Sequence, residues 1–132
     1  MTGYIFDSSA IFLMFKRQNF EYFAEGYTLS LANYEVGNVL WKEHYLHKNI
    51  SKEEMMEIAD ILDGILANMR TLRIDNHIKE ILDIAIGLGI TFYDASYIFS
   101  SKELNMPLIT GDEKLRAKAE KSVKVINYKE LL

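Results

Sequence analysis

Short apolar runs alternate with longer amphipathic stretches along this chain, and that alternation constrains its fold more than any other feature. Residues 4–6, 27–31, 72–74, 107–110 and 123–126 are short and rich in β-branched or aromatic side chains, and read as buried strands. Residues 91–93 read as a further strand or as the approach to a helix. Between these runs, apolar residues recur at helical spacing. A helix starts within 10–15, and another spans 32–47 with Val36, Val39, Leu40 and Leu46 on its apolar side. Ser51 and Glu54 form a capping box that opens a helix to about Asn68. Asp75 is expected to cap a helix that turns Ile78, Ile81, Leu82, Ala85 and Ile86 inward and ends at Gly87 and Gly89. Asp94 begins a helix through Lys102, and 113–120 form the last one. Strands alternating with helices predict an α/β fold in which a mostly parallel central sheet is flanked by helices.

The 132 residues suit one domain, taken as 1–132, because 49% hydrophobic content fills one core and no linker-like tract divides it. The absence of cysteine excludes disulfides, thiolate zinc sites and cysteine nucleophiles. No basic, apolar leader and no run of roughly 20 apolar residues is present, so a cytoplasmic protein with no membrane association is expected. A net charge of −4 is unlike that of a nucleic-acid binder with a basic face. If phosphates are bound, a cation has to attract them.

The placement of the acids suggests such a cation. In parallel sheets ligands bind beyond the carboxyl ends of the strands. Asp7 directly follows the first strand, and Asp112 lies two residues past the strand ending at Thr110. Asp94 opens a helix, and Glu35 shares one helical face with Asn38 and Lys42. Four acids from four segments can therefore meet in one cleft. Packed carboxylates repel and raise each other's pKa, and a divalent cation reverses that penalty. An all-oxygen set favours Mg²⁺ or Mn²⁺, ions suited to phosphodiester hydrolysis. Taken one at a time, the same residues have plainer roles. Asp7, Asp94 and Asp112 are good helix caps, and a Glu on a helix is usually solvated.

The stretches "YIFDSSAIF", "LANYEVGNVLWK", "ITFYDASYIFSSKELNMPLITGDEKL" and "VKVINYKEL" together resemble the PIN domain, specifically its VapC-type toxin nucleases. They run in family order over nearly the whole chain. The resemblance implies a three-layer α/β/α fold and Mg²⁺- or Mn²⁺-dependent endoribonuclease activity. It also implies an RNA substrate, a cognate antitoxin that blocks the site, and a homodimer. Asp7, Glu35, Asp94 and Asp112 resemble the family's acidic metal-binding and catalytic set. Thr110 resembles its accompanying hydroxyl, Ser8 and Asn38 stand as hydrogen-bonding support, and Glu113 is a secondary carboxylate. Lys42, Lys114 and Arg116 are candidate RNA contacts. The aromatic group Phe12, Phe15, Phe20, Tyr22 and Phe23 is mostly core and offers part of a groove for a partner helix. Two other readings keep the α/β fold. One is a receiver-like signalling domain phosphorylated on an Asp, and the other a PIN-like module that chiefly binds.

Overall fold

The computed structural model describes residues 3–131. Five short strands form one sheet: β1 (Tyr4–Phe6), β2 (Gly26–Leu29), β3 (Arg70–Leu72), β4 (Leu108–Thr110) and β5 (Val125–Asn127). All neighbouring pairs are parallel, in the order β3-β2-β1-β4-β5. The chain winds from β1 outward to β3 and then crosses back to lay β4 on the other side of β1. The strand order therefore reverses between β1 and β4, and the crevice at their carboxyl ends is the topological switch point where such sheets bind ligands. The receiver-like reading fails on this order, because doubly wound signalling domains run 2-1-3-4-5.

Six helices cover the sheet: α1 (Ser8–Lys16), α2 (Leu31–Trp41), α3 (Lys52–Asn68), α4 (Ile78–Leu88), α5 (Phe92–Leu104) and α6 (Glu113–Ala119). Side chains along a strand alternate between faces, and the core divides accordingly. Phe6 and Ile109 join Ile11, Met14, Val36, Leu40, Leu62 and Leu66 beneath α1, α2 and α3. Ile5 and Leu108 join Leu29, Tyr97, Ile98 and Leu115 beneath α5 and α6. The result is the expected three-layer α/β/α arrangement. Among the described residues no single helix is long and apolar enough to cross a membrane.

Local signals explain most boundaries. The Ser51–Glu54 capping box closes in both directions, at 3.1 and 3.0 Å, and starts α3 at Lys52. Gly89 ends α4 at φ +66°, a left-handed conformation that glycine adopts without strain.

Four expectations are corrected. β3 lies two residues earlier than residues 72–74, since its partner β2 aligns Tyr27 with Arg70 and Leu29 with Leu72. Of the two readings of residues 91–93 the approach to a helix holds, but the helix starts earlier than Asp94: Thr91 accepts the amide of Asp94 at 3.1 Å and caps α5, so Asp94 sits inside its first turn. Asp75 does not cap α4 but binds Arg73, at 2.7 Å. On α4 only Ile81 and Ala85 are buried, while Ile78, Leu82 and Ile86 face outward. α4 packs on α5 and its neighbours through a stripe narrower than its apolar surface.

Candidate metal centre at the carboxyl edge of the sheet

Asp7 ends β1 and caps α1. Its Oδ1 accepts from the Ala10 amide at 2.9 Å and from the Ser9 hydroxyl at 2.7 Å. Its Oδ2 accepts from the Thr110 hydroxyl, across the switch point on β4. Thr110 also accepts the amide of Asp112 at 3.1 Å, and Ser9 accepts that of Gly111 at 3.0 Å. Two strand ends are thus tied together through one carboxylate and two hydroxyls. Asp7 is 5% exposed. Burial drives its pKa from 3.8 to about 6, against the hydrogen bonds that favour the charged form, and the negative charge of Asp94 adds to the rise.

Of the other three acids, Asp94 acts on Asp7 directly. Asp94 is half-buried, and its pKa is raised first by desolvation and then by the charges of Asp112 and Glu35. Glu35 projects from α2, where the Tyr97 hydroxyl donates to Oε1 at 2.9 Å. Burial and the Glu35 charge push the Tyr97 phenol pKa upward, so it remains a donor. Asp112 caps α6, with Oδ1 accepting from the amides of Lys114 and Leu115 at 2.9 and 3.1 Å. Asp94 is therefore the hub, within electrostatic reach of Asp7, Glu35 and Asp112.

The supporting candidates divide. Thr110 donates to Asp7. The serine that does so is Ser9, not Ser8, because the chain turns into α1 immediately after Asp7. Asn38 and Lys42 are exposed on α2 and just beyond it, and Lys114 is exposed at the start of α6. Glu113 is committed elsewhere: its oxygens accept from Arg116 at 2.7 Å and Asn127 at 3.2 Å, and Arg116 lowers its pKa. Arg116 also holds Glu120 at 2.8 Å, so its charge is taken up along α6 and its C-terminal cap. Sequence reasoning missed Ser9 and Tyr97. Tyr97 lies three residues after Asp94 on one helical face, which was the available signal for it.

The donor set fits a hard divalent cation. It is all oxygen. Among the described residues none of the four acids is in a salt bridge, whereas Asp75, Glu80, Glu113 and Glu120 are. Among those residues no three Asp, Glu or His side chains already close on a single point. Holding one ion with three of them therefore requires the carboxylates to draw inward. Thr110→Val should cost about 1–2 kcal/mol of stability, since it removes the one hydroxyl that serves both Asp7 and Asp112. Urea denaturation at neutral pH measures this.

A parallel sheet of this order with an acidic cluster at its switch point defines a class. The PIN domain family model matches residues 4–121, and the chain belongs to that family. Within it, the relatives are of the VapC type. The chain is 33% identical over 97 residues to Exonuclease VapC9 of Pyrobaculum aerophilum, spanning 74% of this chain and 69% of that protein. It is 30% identical to Ribonuclease VapC3 of the same organism, over 71% of each chain. It is 32% identical over 89 residues to Ribonuclease VapC1 of Mycobacterium tuberculosis, spanning 66% of this chain and 62% of that one. The crystal structure of PAE2754 from Pyrobaculum aerophilum superposes with a TM-score of 0.83 at 27% identity, covering 98% of this chain and 92% of that one.

Proposed function

We propose that this protein is a Mg²⁺- or Mn²⁺-dependent endoribonuclease and the toxin of a toxin–antitoxin pair, with Asp7, Glu35, Asp94 and Asp112 as its metal-binding and catalytic set. The observation that carries the reading is the charge coupling of Asp94 to Asp7, Glu35 and Asp112, without a salt-bridge partner for any of the four among the described residues. The names of the VapC relatives, two ribonucleases and one exonuclease, supply the substrate class. A bound cation supplies an activated water and neutralises charge on the phosphoryl oxygen. The chain's own residues set the geometry. Asp7 is held rigidly by Ser9 and Thr110, and Tyr97 orients Glu35. Asp112 keeps Oδ1 in its helix cap, and Asp94 has Thr91 as its side-chain partner. Exposed Lys42, seven residues after Glu35, and Lys114, two after Asp112, take RNA phosphates. A cognate antitoxin and a second copy of this chain complete the cytoplasmic assembly.

The test is RNA cleavage by the purified, partner-free chain with Mg²⁺, with Mn²⁺ and with EDTA, on linear and circular RNA. Cleavage of both RNAs, abolished by EDTA, is the expected result. Cleavage of linear RNA alone would make it an exonuclease. Cleavage that survives EDTA, or none by the folded chain with either metal, would sink the metal-dependent reading.

A further inference from the structure

Beside the acidic cleft lies a separate cavity of about 360 Å³. It opens at the carboxyl ends of β2 and β3, where Leu29 and Leu72 form its base, and it extends past Thr71, Arg73 and Asp75. Its sides are the first turns of two helices: Ser30 and Leu31 leading into α2, and Phe92, Tyr93 and Ser96 of α5. Both helices also carry an acid of the cleft. Glu35 follows Leu31 by one turn, and Asp94 lies between Tyr93 and Ser96. None of the four acids lines the cavity, but α2 and α5 each contribute both to its walls and to the acidic set.

We infer that this cavity is a subsite for one unpaired RNA base next to the scissile phosphate. The inference rests on the nuclease reading above and adds to it the part of the substrate that is recognised. The lining is mostly apolar, with two aromatic rings on one side and polar groups at the rim. Unstacked bases are bound in such surroundings: the ring stacks on an aromatic or guanidinium plane, and its edge meets a few hydrogen-bonding groups. Tyr93 is 60% exposed, so packing does not explain a tyrosine there. Arg73 is paired with Asp75 at 2.7 Å, which gives the rim a guanidinium and a carboxylate, a donor and an acceptor for a base edge. The hydroxyls of Ser30 and Thr71 can add to both. The volume lies at the lower end of small-ligand pockets, roughly 300–1,000 Å³, which admits a planar heterocycle and not a helix. A base seated here places its own phosphate toward Asp94 and Glu35.

Two variants test the subsite without touching the acids. Thr71→Trp fills the cavity from an exposed edge-strand position, and Tyr93→Ala removes the stacking ring. Each should lower kcat/KM for RNA by about tenfold, mainly through KM. Each should also change the base preference at one position beside the cut, while the Mg²⁺-dependent rise in Tm stays as in wild type. Titration of the wild-type chain with AMP, GMP, CMP and UMP should shift the backbone amides of Thr71, Arg73, Tyr93 and Ser96 saturably, with unequal affinities. The same titration of Thr71→Trp should not. Folded variants that cut with wild-type KM and pattern would overturn the subsite and leave the nuclease standing. If the wild type cuts no RNA, the nuclease reading fails separately. The titrations then decide the cavity, and silent amides would reject a base there.

Discussion

Asp94→Asn removes metal-dependent RNA cleavage by about 10²-fold or more while the metal-free protein keeps or raises its Tm. The first half follows from charge: losing one preorganised electrostatic group from a phosphoryl-transfer site typically costs about 10²–10³ in kcat. The second half follows from position. Asp94 lies in the first turn of α5, but the cap is the Thr91 hydroxyl accepting the Asp94 amide, and the substitution leaves that bond unchanged. The carboxylate itself is opposed by burial and by the charges of Asp112 and Glu35, so neutralising it relieves repulsion. Alanine at Asp7 or Asp112 is a poorer probe, because each caps a helix through its side chain, and cap removal alone costs about 0.5–2 kcal/mol. Single-turnover cleavage beside a thermal melt with and without Mg²⁺ checks both halves. An Asp94→Asn variant that cuts at the wild-type rate would remove Asp94 from the site.

The same distinction between cap and carboxylate shows how much of this site was legible in the sequence. Alternating runs and a single capping box were enough for the layers, the parallel sheet and the start of α3, because those signals are local. The position of Asp7 after an apolar strand was legible too. That it does more than cap a helix was not, because its second partner is remote in sequence. One oxygen caps α1 while the other reaches Thr110, 103 residues away in sequence. Ser9 in place of Ser8 depends on the turn into α1, which no spacing rule specifies. Tyr97 shares a helical face with Asp94, but its bond to Glu35, 62 residues away in sequence, appears only in the fold. β3 was misplaced because Arg70 and Thr71 are exposed polar residues on an edge strand, and apolar patterning does not detect such strands. The Glu113–Arg116–Glu120 network, by contrast, was available as i,i+3 and i,i+4 pairs and argues against roles for Glu113 and Arg116 at the site.

Asp7→Asn makes the metal-free protein more stable at pH 8, by on the order of 3 kcal/mol, and the advantage fades by about pH 4. The folded pKa of about 6 exceeds the ordinary 3.8, so the native state binds this proton more tightly than the unfolded chain does. Above about pH 6 the group is ionised in both states, and the folded state bears the full burial penalty, worth about 3 kcal/mol for that difference in pKa. As pH falls through 6 toward 3.8, the native state protonates first and wild type gains stability. Below 3.8 both states are protonated and the penalty is gone. Asparagine fits the same bonds: its oxygen keeps the Ala10 and Ser9 donors, and its amide donates to the Thr110 oxygen once that hydroxyl rotates. The difference between wild type and variant isolates Asp7 from the exposed acids Glu54 and Glu113, whose lowered pKa values give the opposite slope. Urea denaturation at pH 4, 6 and 8 measures it. Mg²⁺ should then reverse the order at pH 8, stabilising wild type and leaving Asp7→Asn nearly unchanged, because the carboxylate that burial penalises is the one the cation compensates. A stability difference constant across pH would mean that Asp7 is not a strained buried carboxylate. A pH-dependent difference that Mg²⁺ fails to reverse would mean that the strain serves something other than a metal.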